Sequence, residues 1–267
     1  MFDIVASIVL YNNDKSIEDA IKSFINTDLK IRLVLIDNSP TDKLKYLASD
    51  SKIEYIFNNN NVGFGAGHNI AISKYINLCK YYLVLNPDIV FNKGVLEKLC
   101  SYIETRKDIG ILSPKVLYMD GSLQYVCRKL PTPIDFFAKR LIPSLFKKRI
   151  ESYEFRDKDY NQTMNVPFIS GCFMFIRSEA LKKVGLFDEK IFMYTEDIDL
   201  SRRINKYYKN IYYPEVFIYH GYARESATNF KLLLIAIKSS LYYFSKWGWF
   251  FDKERQSLNM TAGKIYE

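Results

Sequence analysis

The N-terminal third of the chain alternates short apolar runs with segments of helical periodicity, and this alternation restricts the fold more than any other feature. Ile4–Leu10, Leu33–Ile36, Ile53–Phe57 and Tyr81–Leu85 are near-continuous apolar runs of strand length. A run without polar alternation reads as a strand covered on both faces. Between them, Ile17, Ala20, Ile21, Phe24 and Ile25 recur at helical spacing, and further helices are expected at Leu44–Ala48 and from His68 to Ile76. Each strand stops at a polar turn: Tyr11-Asn12-Asn13-Asp14, Asp37-Asn38-Ser39-Pro40, Asn58–Asn61 and Asn86-Pro87-Asp88. The pattern predicts an α/β protein with an open, mostly parallel central sheet and helices on both faces. Ligands bind such sheets beyond the carboxyl ends of the strands. Asp37, the segment Gly63-Phe64-Gly65-Ala66-Gly67 and Asp88 are therefore expected on one edge.

The rhythm changes after Asp88. A helix is expected over Val95–Ile103, a strand over Ile109–Val116 broken at Pro114, and a short strand over Ser122–Val126. Ile134–Ile150 carries an apolar helical stripe among basic residues, interrupted at Pro143. Glu151–Asn165 reads as a loop and Phe168–Ile176 as a strand containing Gly171. Ala180–Val184 is a helix closed by Gly185, and the last strand runs from Ile211 to His220. Asn229–Phe251 is a final helix candidate, aromatic and basic, with Lys231, Lys238 and Lys246 on one face. It can pack on the domain or lie in a membrane interface.

Composition narrows the classes. Hydrophobic residues make up 48% of the 267, enough for a sizeable core. Aromatics reach 16%, more than a core alone uses, which suits stacking on sugars or bases or seating at a membrane interface. The formal charge of +8 favours anionic partners. The basic residues are scattered and form no DNA- or RNA-binding motif, so no nucleic-acid partner is expected. Cys79, Cys100, Cys127 and Cys172 stand at neither metal-ligand nor redox spacing. The N-terminus enters a strand directly, so the expectation is no signal peptide and a reducing, cytoplasmic setting. No apolar run approaches the roughly 20 residues of a spanning helix.

Three constellations could carry chemistry. Thr195-Glu196-Asp197-Ile198-Asp199 packs three acids into the start of a helix, with Thr195 as its expected N-cap. Taken alone, the acids are better explained by the helix dipole than by catalysis. Asp88 ends a buried strand; a rim carboxylate there suits Mg²⁺ or Mn²⁺ on a diphosphate, or simply closes an Asx turn. His220, at the end of the last strand, could be a ligand or a turn residue. The glycine segment has His68 where a dinucleotide fingerprint needs its third glycine, and it follows the third strand rather than the first, which argues against a dehydrogenase. A glycine turn there still lets N–H groups approach a phosphate, and His68 is expected to serve that turn.

Seven segments in order give the chain a resemblance to family 2 glycosyltransferases of GT-A fold, closest to the bacterial rhamnosyltransferase-like branch. They are Val9–Asn12, Leu35–Ser39, Asn61–Asn69, Leu85–Asp88, Ser170–Met174, Gly185–Glu189 and Phe192–Leu200. The resemblance spans about Ile4 to Ser226. It implies a GT-A domain over residues 1–226, with a nucleotide-binding half at 1–88 and an acceptor half at 89–226. Residues 227–267 would be a helical extension able to associate with a membrane. It also implies roles. Asp37 would bond the pyrimidine base, with Tyr11 and Asn12 lining the same pocket. Asn61, Gly63 and the following turn would hold base, ribose or phosphate, and Asn38, Gly67 and Asn86 would also bind the donor. Asp88 stands at the last acid of the family's DxD motif, with Asn86 in place of the first, and His220 matches a metal-side histidine. Asp197, with Glu196 beside it, would be the base of an inverting transfer, while Asp199, Arg202 and Arg203 orient the loop and helix. The implied donor is dTDP-L-rhamnose or a UDP-hexose, and the implied acceptor is a polyprenyl-diphosphate-linked glycan of surface polysaccharide synthesis. The stretch Phe136–Arg149 and the C-terminal helix would then seat the enzyme on anionic lipid at the inner face of the cytoplasmic membrane. A non-catalytic sugar- or lipid-binding subunit of an assembly complex is the alternative, and a homodimer is one open oligomeric state.

Overall fold

A computed structural model of the chain describes residues 1–13, 17–136, 146–221 and 229–266. The expected N-terminal alternation is present. Strands β1 (Phe2–Leu10), β2 (Ile31–Asp37), β3 (Ile53–Phe57) and β4 (Cys79–Leu85) lie parallel in the order β3-β2-β1-β4. The chain builds outward from β1 to β3 and then returns to the other side of β1. That reversal opens a crevice at the carboxyl ends of β1 and β4. Helix α1 (Ile17–Ile25) buries Ile17, Ala20, Ile21 and Phe24, the stripe its spacing predicts.

The second half extends the same sheet. Strands β5 (Ile89–Val90), β6 (Ile109–Leu117), β7 (Met164–Asn165), β8 (Phe173–Arg177) and β9 (Lys209–His220) continue the order as β4-β8-β6-β9-β5, with β7 also on β9. Strand β8 is antiparallel to both neighbours, whereas β6 and β9 are parallel. Around the sheet lie α2 (Phe64–Tyr75), α3 (Val95–Thr105), α4 (Lys147–Tyr153), α5 (Ser178–Val184), α6 (Glu196–Ile204), α7 (Phe230–Trp247) and α8 (Lys253–Thr261).

Several elements differ from expectation, each for a physical reason. Helix α2 begins four residues before His68, so Gly65 and Gly67 lie inside it. A Cβ on Gly65 would sit 2.8 Å from Phe187 Cβ, and one on Gly67 would sit 2.8 Å from Val9. These glycines are packing surfaces. Only Gly63 is the turn: its φ is +93°, and a Cβ there would meet the Phe192 carbonyl at 2.1 Å. Strand β6 passes through Pro114 unbroken, and the irregularity is absorbed as a register shift against β9 between Pro114 and Lys115. Strand β8 starts at Phe173, leaving Gly171 in the turn before it. The preceding segment spends its N–H groups on α6 side chains, with Ile169 donating to Ser201 and Gly171 to Asp197. The expected loop 151–165 contains the end of α4 and all of β7.

At the C-terminus, α7 is capped by the Asn229 side chain and ends at Gly248, whose φ is +105°. The expected helix to Phe251 is therefore a helix and a turn, followed by the unforeseen α8, which Asp252 caps. Leu130, Phe168, Ile198, Tyr243 and Phe244 form a small core of their own beneath these helices. Of the Phe136–Arg149 stretch, residues 137–145 lie outside the described residues, as does Ser226. Among the described residues no helix is long and apolar enough to cross a membrane.

Candidate active site

The turns at the ends of β1, β2 and β3 are laced into one rim. Asp37 is fully buried; its carboxylate accepts the Ser39 N–H at 2.9 Å and the Tyr55 hydroxyl at 2.6 Å. Burial first, and then the hydrogen bond and charge of Asp37, hold the Tyr55 phenol well above its ordinary pKa. Ser39 Oγ accepts the N–H of Asn12, which sits at φ 53°. Asn38 is buried and reaches the Gly63 carbonyl at 3.3 Å, while Asn58 donates to Asn38 at 2.9 Å. Asn61 Oδ1 accepts the Gly63 N–H at 3.2 Å, closing an Asx turn. Tyr11 is exposed beside them. Gly67 stands apart, buried in α2 against Val9 and Asn38, where its size serves packing. His68 does not serve the turn. It is fully buried beside Phe64 and Phe187, with Nδ1 2.6 Å from Ser7 Oγ on β1, and burial holds its pKa down to about 3.

The second part of the site is the facing pair Asp88 and His220. Strand pairing aligns Ile89 with His220, and Gly221 donates to the Asp88 carbonyl at 3.0 Å. Asp88 Oδ2 and His220 Nε2 lie 3.5 Å apart. His220 Nδ1 is 2.9 Å from Gln124 Oε1. A carbonyl oxygen only accepts, so Nδ1 donates to Gln124, and Nε2 is the ring nitrogen that faces Asp88. A carboxylate oxygen and an imidazole nitrogen so opposed fit a shared divalent cation, with the outer hydrogen bond fixing the ring as in metal sites. Among the described residues no cluster of three or more His, Cys, Asp or Glu could hold a metal. The remaining ligands would have to be diphosphate oxygens and water. Gln124 carries no sequence signal of this role beyond its place in the Ser122–Val126 segment.

The third part is the acid cluster. Tyr194 and Thr195 are both left-handed, at φ 70° and 78°. For non-glycine residues, and above all a β-branched one, this costs on the order of 1–3 kcal/mol each. Thr195 does not cap α6 with its side chain; Oγ1 donates instead to the Ser239 carbonyl at 3.4 Å. Asp197 Oδ2 accepts the Gly171 N–H at 3.0 Å and Oδ1 the Ile198 N–H at 2.8 Å. Burial pushes the Asp197 carboxyl above its usual range, against the pull of those two N–H groups and the Arg128 guanidinium. Burial therefore outweighs the helix terminus. Arg128, whose charge reaches both Asp197 and Cys172, was not legible as a site residue.

The parts meet at Ser170-Gly171-Cys172. Gly171 binds Asp197, and the next carbonyl, that of Cys172, accepts the Asn86 N–H at 3.0 Å. Burial raises the Cys172 thiol to about 12, and Asp88 and Asp197 both add to that rise. One three-residue turn thus spaces the metal-side acid from the candidate base.

Glu196 and Asp199 face elsewhere. Asp199 is fully buried and binds Arg203 at 2.8 Å, the i,i+4 pair its spacing suggests, as well as Trp247 Nε1 at 2.8 Å and Lys246 at 2.7 Å. Glu196 is buried, with Oε2 lacking a hydrogen-bond partner among the described residues. Burial, then the Asp197 charge, pushes its carboxyl well above the usual range. A raised carboxyl pKa means the folded chain keeps a proton that the unfolded chain loses. Stability therefore falls as pH rises from the ordinary carboxylate pKa to the raised one, and levels off above it. Glu196→Gln removes this dependence, by about 1.4 kcal/mol per pH unit inside the window. The Tm advantage of the variant over the parent should grow as pH rises above the ordinary carboxylate pKa. An advantage that is flat or shrinks with pH would contradict a buried, proton-retaining Glu196.

The chain is similar to known proteins over most of its length. The model of "Glycosyl transferase family 2" matches residues 6–185. N-acetylglucosaminyl-diphospho-decaprenol L-rhamnosyltransferase of Mycobacterium tuberculosis is 24% identical over 259 residues, covering 91% of this chain and 84% of the relative. Rhamnosyltransferase WbbL of Escherichia coli is 26% identical over 248 residues, covering 90% and 91%. Among solved structures, GalNAc-T7 with UDP, GalNAc and Mn²⁺ aligns with a TM-score of 0.63 at 18% identity, over 84% of this chain and 44% of that one. The mannosyltransferase PcManGT of Pyrobaculum calidifontis with GDP-Man and Mn²⁺ aligns at 0.59 and 15%, over 92% and 66%. The chain belongs to glycosyl transferase family 2, and the protein is an enzyme of glycosyl transfer on the GT-A fold.

Proposed function

We propose that the protein moves a sugar from a nucleoside diphosphate sugar to a hydroxyl with inversion, and that Asp197 is the general base. The observation that carries this reading is the Gly171 N–H bond to Asp197, one residue from the carbonyl that fixes Asn86-Pro87-Asp88. Asp197 accepts the acceptor's hydroxyl proton as that oxygen bonds to the anomeric carbon. The bond from that carbon to the diphosphate oxygen breaks, and the nucleoside diphosphate leaves with its electron pair from the opposite face. Its raised pKa brings Asp197 closer to the range in which a base works best near neutrality. Asp88 and His220 would hold Mg²⁺ or Mn²⁺, which neutralises charge on the departing diphosphate when bound. Tyr11, Asn12, Asp37, Asn38, Asn61, Gly63 and Asn86 are the chain's contributions to the donor rim. Asp37 acts there chiefly by ordering the turn, since its side chain is fully buried and bonded to Ser39 and Tyr55.

The rhamnosyltransferase relatives make dTDP-L-rhamnose the first donor to test and UDP-hexoses the second. The decaprenol relative supports a polyprenyl-diphosphate-linked glycan as acceptor. A peripheral seat on anionic lipid has support in the outer face of α7, where Phe230, Leu234 and Leu241 are exposed with Lys231 and Lys238, and in exposed Phe250 and Phe251. Lys246 is not available to lipid, because it binds Asp188 and Asp199 at 2.7 Å. Flotation with anionic vesicles at low salt tests the seat, and failure to float would remove it.

The experiment for the activity is a thermal-shift screen of dTDP- and UDP-sugars with and without Mn²⁺. A bound donor raises Tm by mass action. One donor should raise Tm, more so with Mn²⁺, and Asp88→Asn should lose the Mn²⁺ increment while keeping the metal-free shift. No shift with any nucleotide would favour the non-catalytic reading.

A further inference from the structure

The turn ahead of Asp197 is held from outside, by the C-terminal helix. Ser239 lies mid-helix in α7 and is buried. A helical serine ordinarily bonds back to a carbonyl of its own helix. Ser239 Oγ reaches across instead and donates to the Met193 carbonyl at 2.7 Å. The Ser239 carbonyl in turn accepts Thr195 Oγ1 at 3.4 Å. One residue thus grips both ends of Met193-Tyr194-Thr195, the segment with two adjacent non-glycine residues in the left-handed region. Upstream, the Phe192 carbonyl accepts the Phe64 N–H at 2.9 Å, so α2 fixes the entry to the turn. Further along α7, Tyr242 and Lys246 bond Asp188 at 2.9 and 2.7 Å and tie the helix to the same face.

We propose that Ser239 is a positioning residue for transfer. By pinning Met193 and Thr195 it holds the left-handed turn that aims Asp197 at Gly171. The inference rests on the reading of Asp197 as base. Left-handed φ values at non-glycine residues persist only where the surroundings over-determine them. Without Ser239 Oγ the Met193 carbonyl loses its donor, and the turn can relax toward ordinary φ. The first residues to move are those that follow directly, Glu196 and Asp197. Among the described residues the donor rim at β1, β2 and β3 shares no hydrogen bond with Ser239, and Gly63 meets the turn only upstream, at Phe192, so donor binding should change little.

The test uses the full chain. Ser239→Ala should lower kcat about 10–100-fold, with the donor Kd unchanged within twofold. Ser239→Thr, which keeps the hydroxyl, should recover most of the loss. Ser240→Ala removes a neighbouring buried hydroxyl that has no hydrogen-bond partner among the described residues, and should behave as the parent. The decisive variant is Thr195→Gly in the Ser239→Ala background. Glycine adopts the left-handed conformation without strain, so it should restore part of kcat if the turn is what Ser239 holds. Rescue by glycine is not expected of a residue that merely stabilises α7. If Ser239→Ala unfolds the chain, Ser239→Cys, which keeps the volume but donates only weakly, takes its place both alone and with Thr195→Gly. Parental kcat in Ser239→Ala, or no rescue in either variant, would overturn the proposal. Asp197→Asn separates the two claims: normal turnover there sinks the base and the clamp together. An inactive Asp197→Asn beside a parental Ser239→Ala sinks only the clamp.

Discussion

Asp197→Asn should reduce kcat by about 10²–10⁴-fold, the usual contribution of a general base. Asparagine keeps the size of the side chain and can still accept the Gly171 N–H through its amide oxygen, so the turn should survive. Donor affinity should stay within about twofold, because the donor rim is built at the ends of other strands. The pH profile carries a second signature. Burial raises the Asp197 carboxyl above its ordinary range. A base works only when deprotonated, so kcat in the parent should fall as pH drops through that raised pKa, earlier than an exposed aspartate would allow. The residual activity of the variant should lack this acid limb. Single-turnover rates across pH 4–9 with saturating donor would measure both. Parental turnover in the variant, or an acid limb that survives it, would remove Asp197 from the role.

Arg202→Met should be the most destabilising single substitution considered. Arg202 is 1% exposed. Its guanidinium binds Asp252 at 2.7 and 2.6 Å and Glu254 at 2.8 Å, and lies 4.2 Å from the Trp247 ring centroid. Methionine fills much of the volume but leaves the buried Asp252 charge, among the described residues, with Arg255 alone, its backbone N–H at 2.9 Å and its guanidinium at 3.9 Å. Breaking a buried pair from one side costs about 3–5 kcal/mol, mostly through the charge left behind. For a chain of this size that corresponds to a Tm lower by roughly 10 °C. Adding Asp252→Asn should return a good part of the loss, since asparagine removes the stranded charge and still caps α8. A Tm drop of only a degree or two, or a double variant no better than the single, would mean that the cluster is held by packing rather than by charge.

The contrast between what was and was not legible in the sequence follows from where the determining partners lie. Strands β1 to β4 were readable because burial on both faces writes an unbroken apolar run into each. Asp88, Asp197 and His220 stood out at strand and helix ends, but a turn or the helix dipole explained each of them alone, and their proposed roles came from the resemblance. The early start of α2 was missed because glycine reads as a breaker, whereas Gly65 and Gly67 are needed where Phe187 and Val9 approach. Helix α8 was missed because it lacks an apolar stripe; Asn259 instead exchanges two hydrogen bonds with the backbone of Leu130. Gln124 and Ser239 had no local signal at all. Their partners, His220 and Met193, are 96 and 46 residues away, and only the fold brings them together.

The Arg202 cluster also bears on how the chain reaches its working form during synthesis. Domains form from the N-terminus as the chain emerges, and the sheet through β9 is complete before α8 exists. Until the ribosome has passed Asp252, 50 residues beyond Arg202, the arginine at the heart of the acid helix has no carboxylate to bury against. A nascent chain can therefore carry its whole rim while the helix bearing Asp197 is held by Ser201, Asp197 and Arg203 but still lacks its buried ion pair. On the proposed reading, donor recognition matures first and transfer competence last, so a chain stalled or clipped ahead of Asp252 should bind donor better than it turns it over.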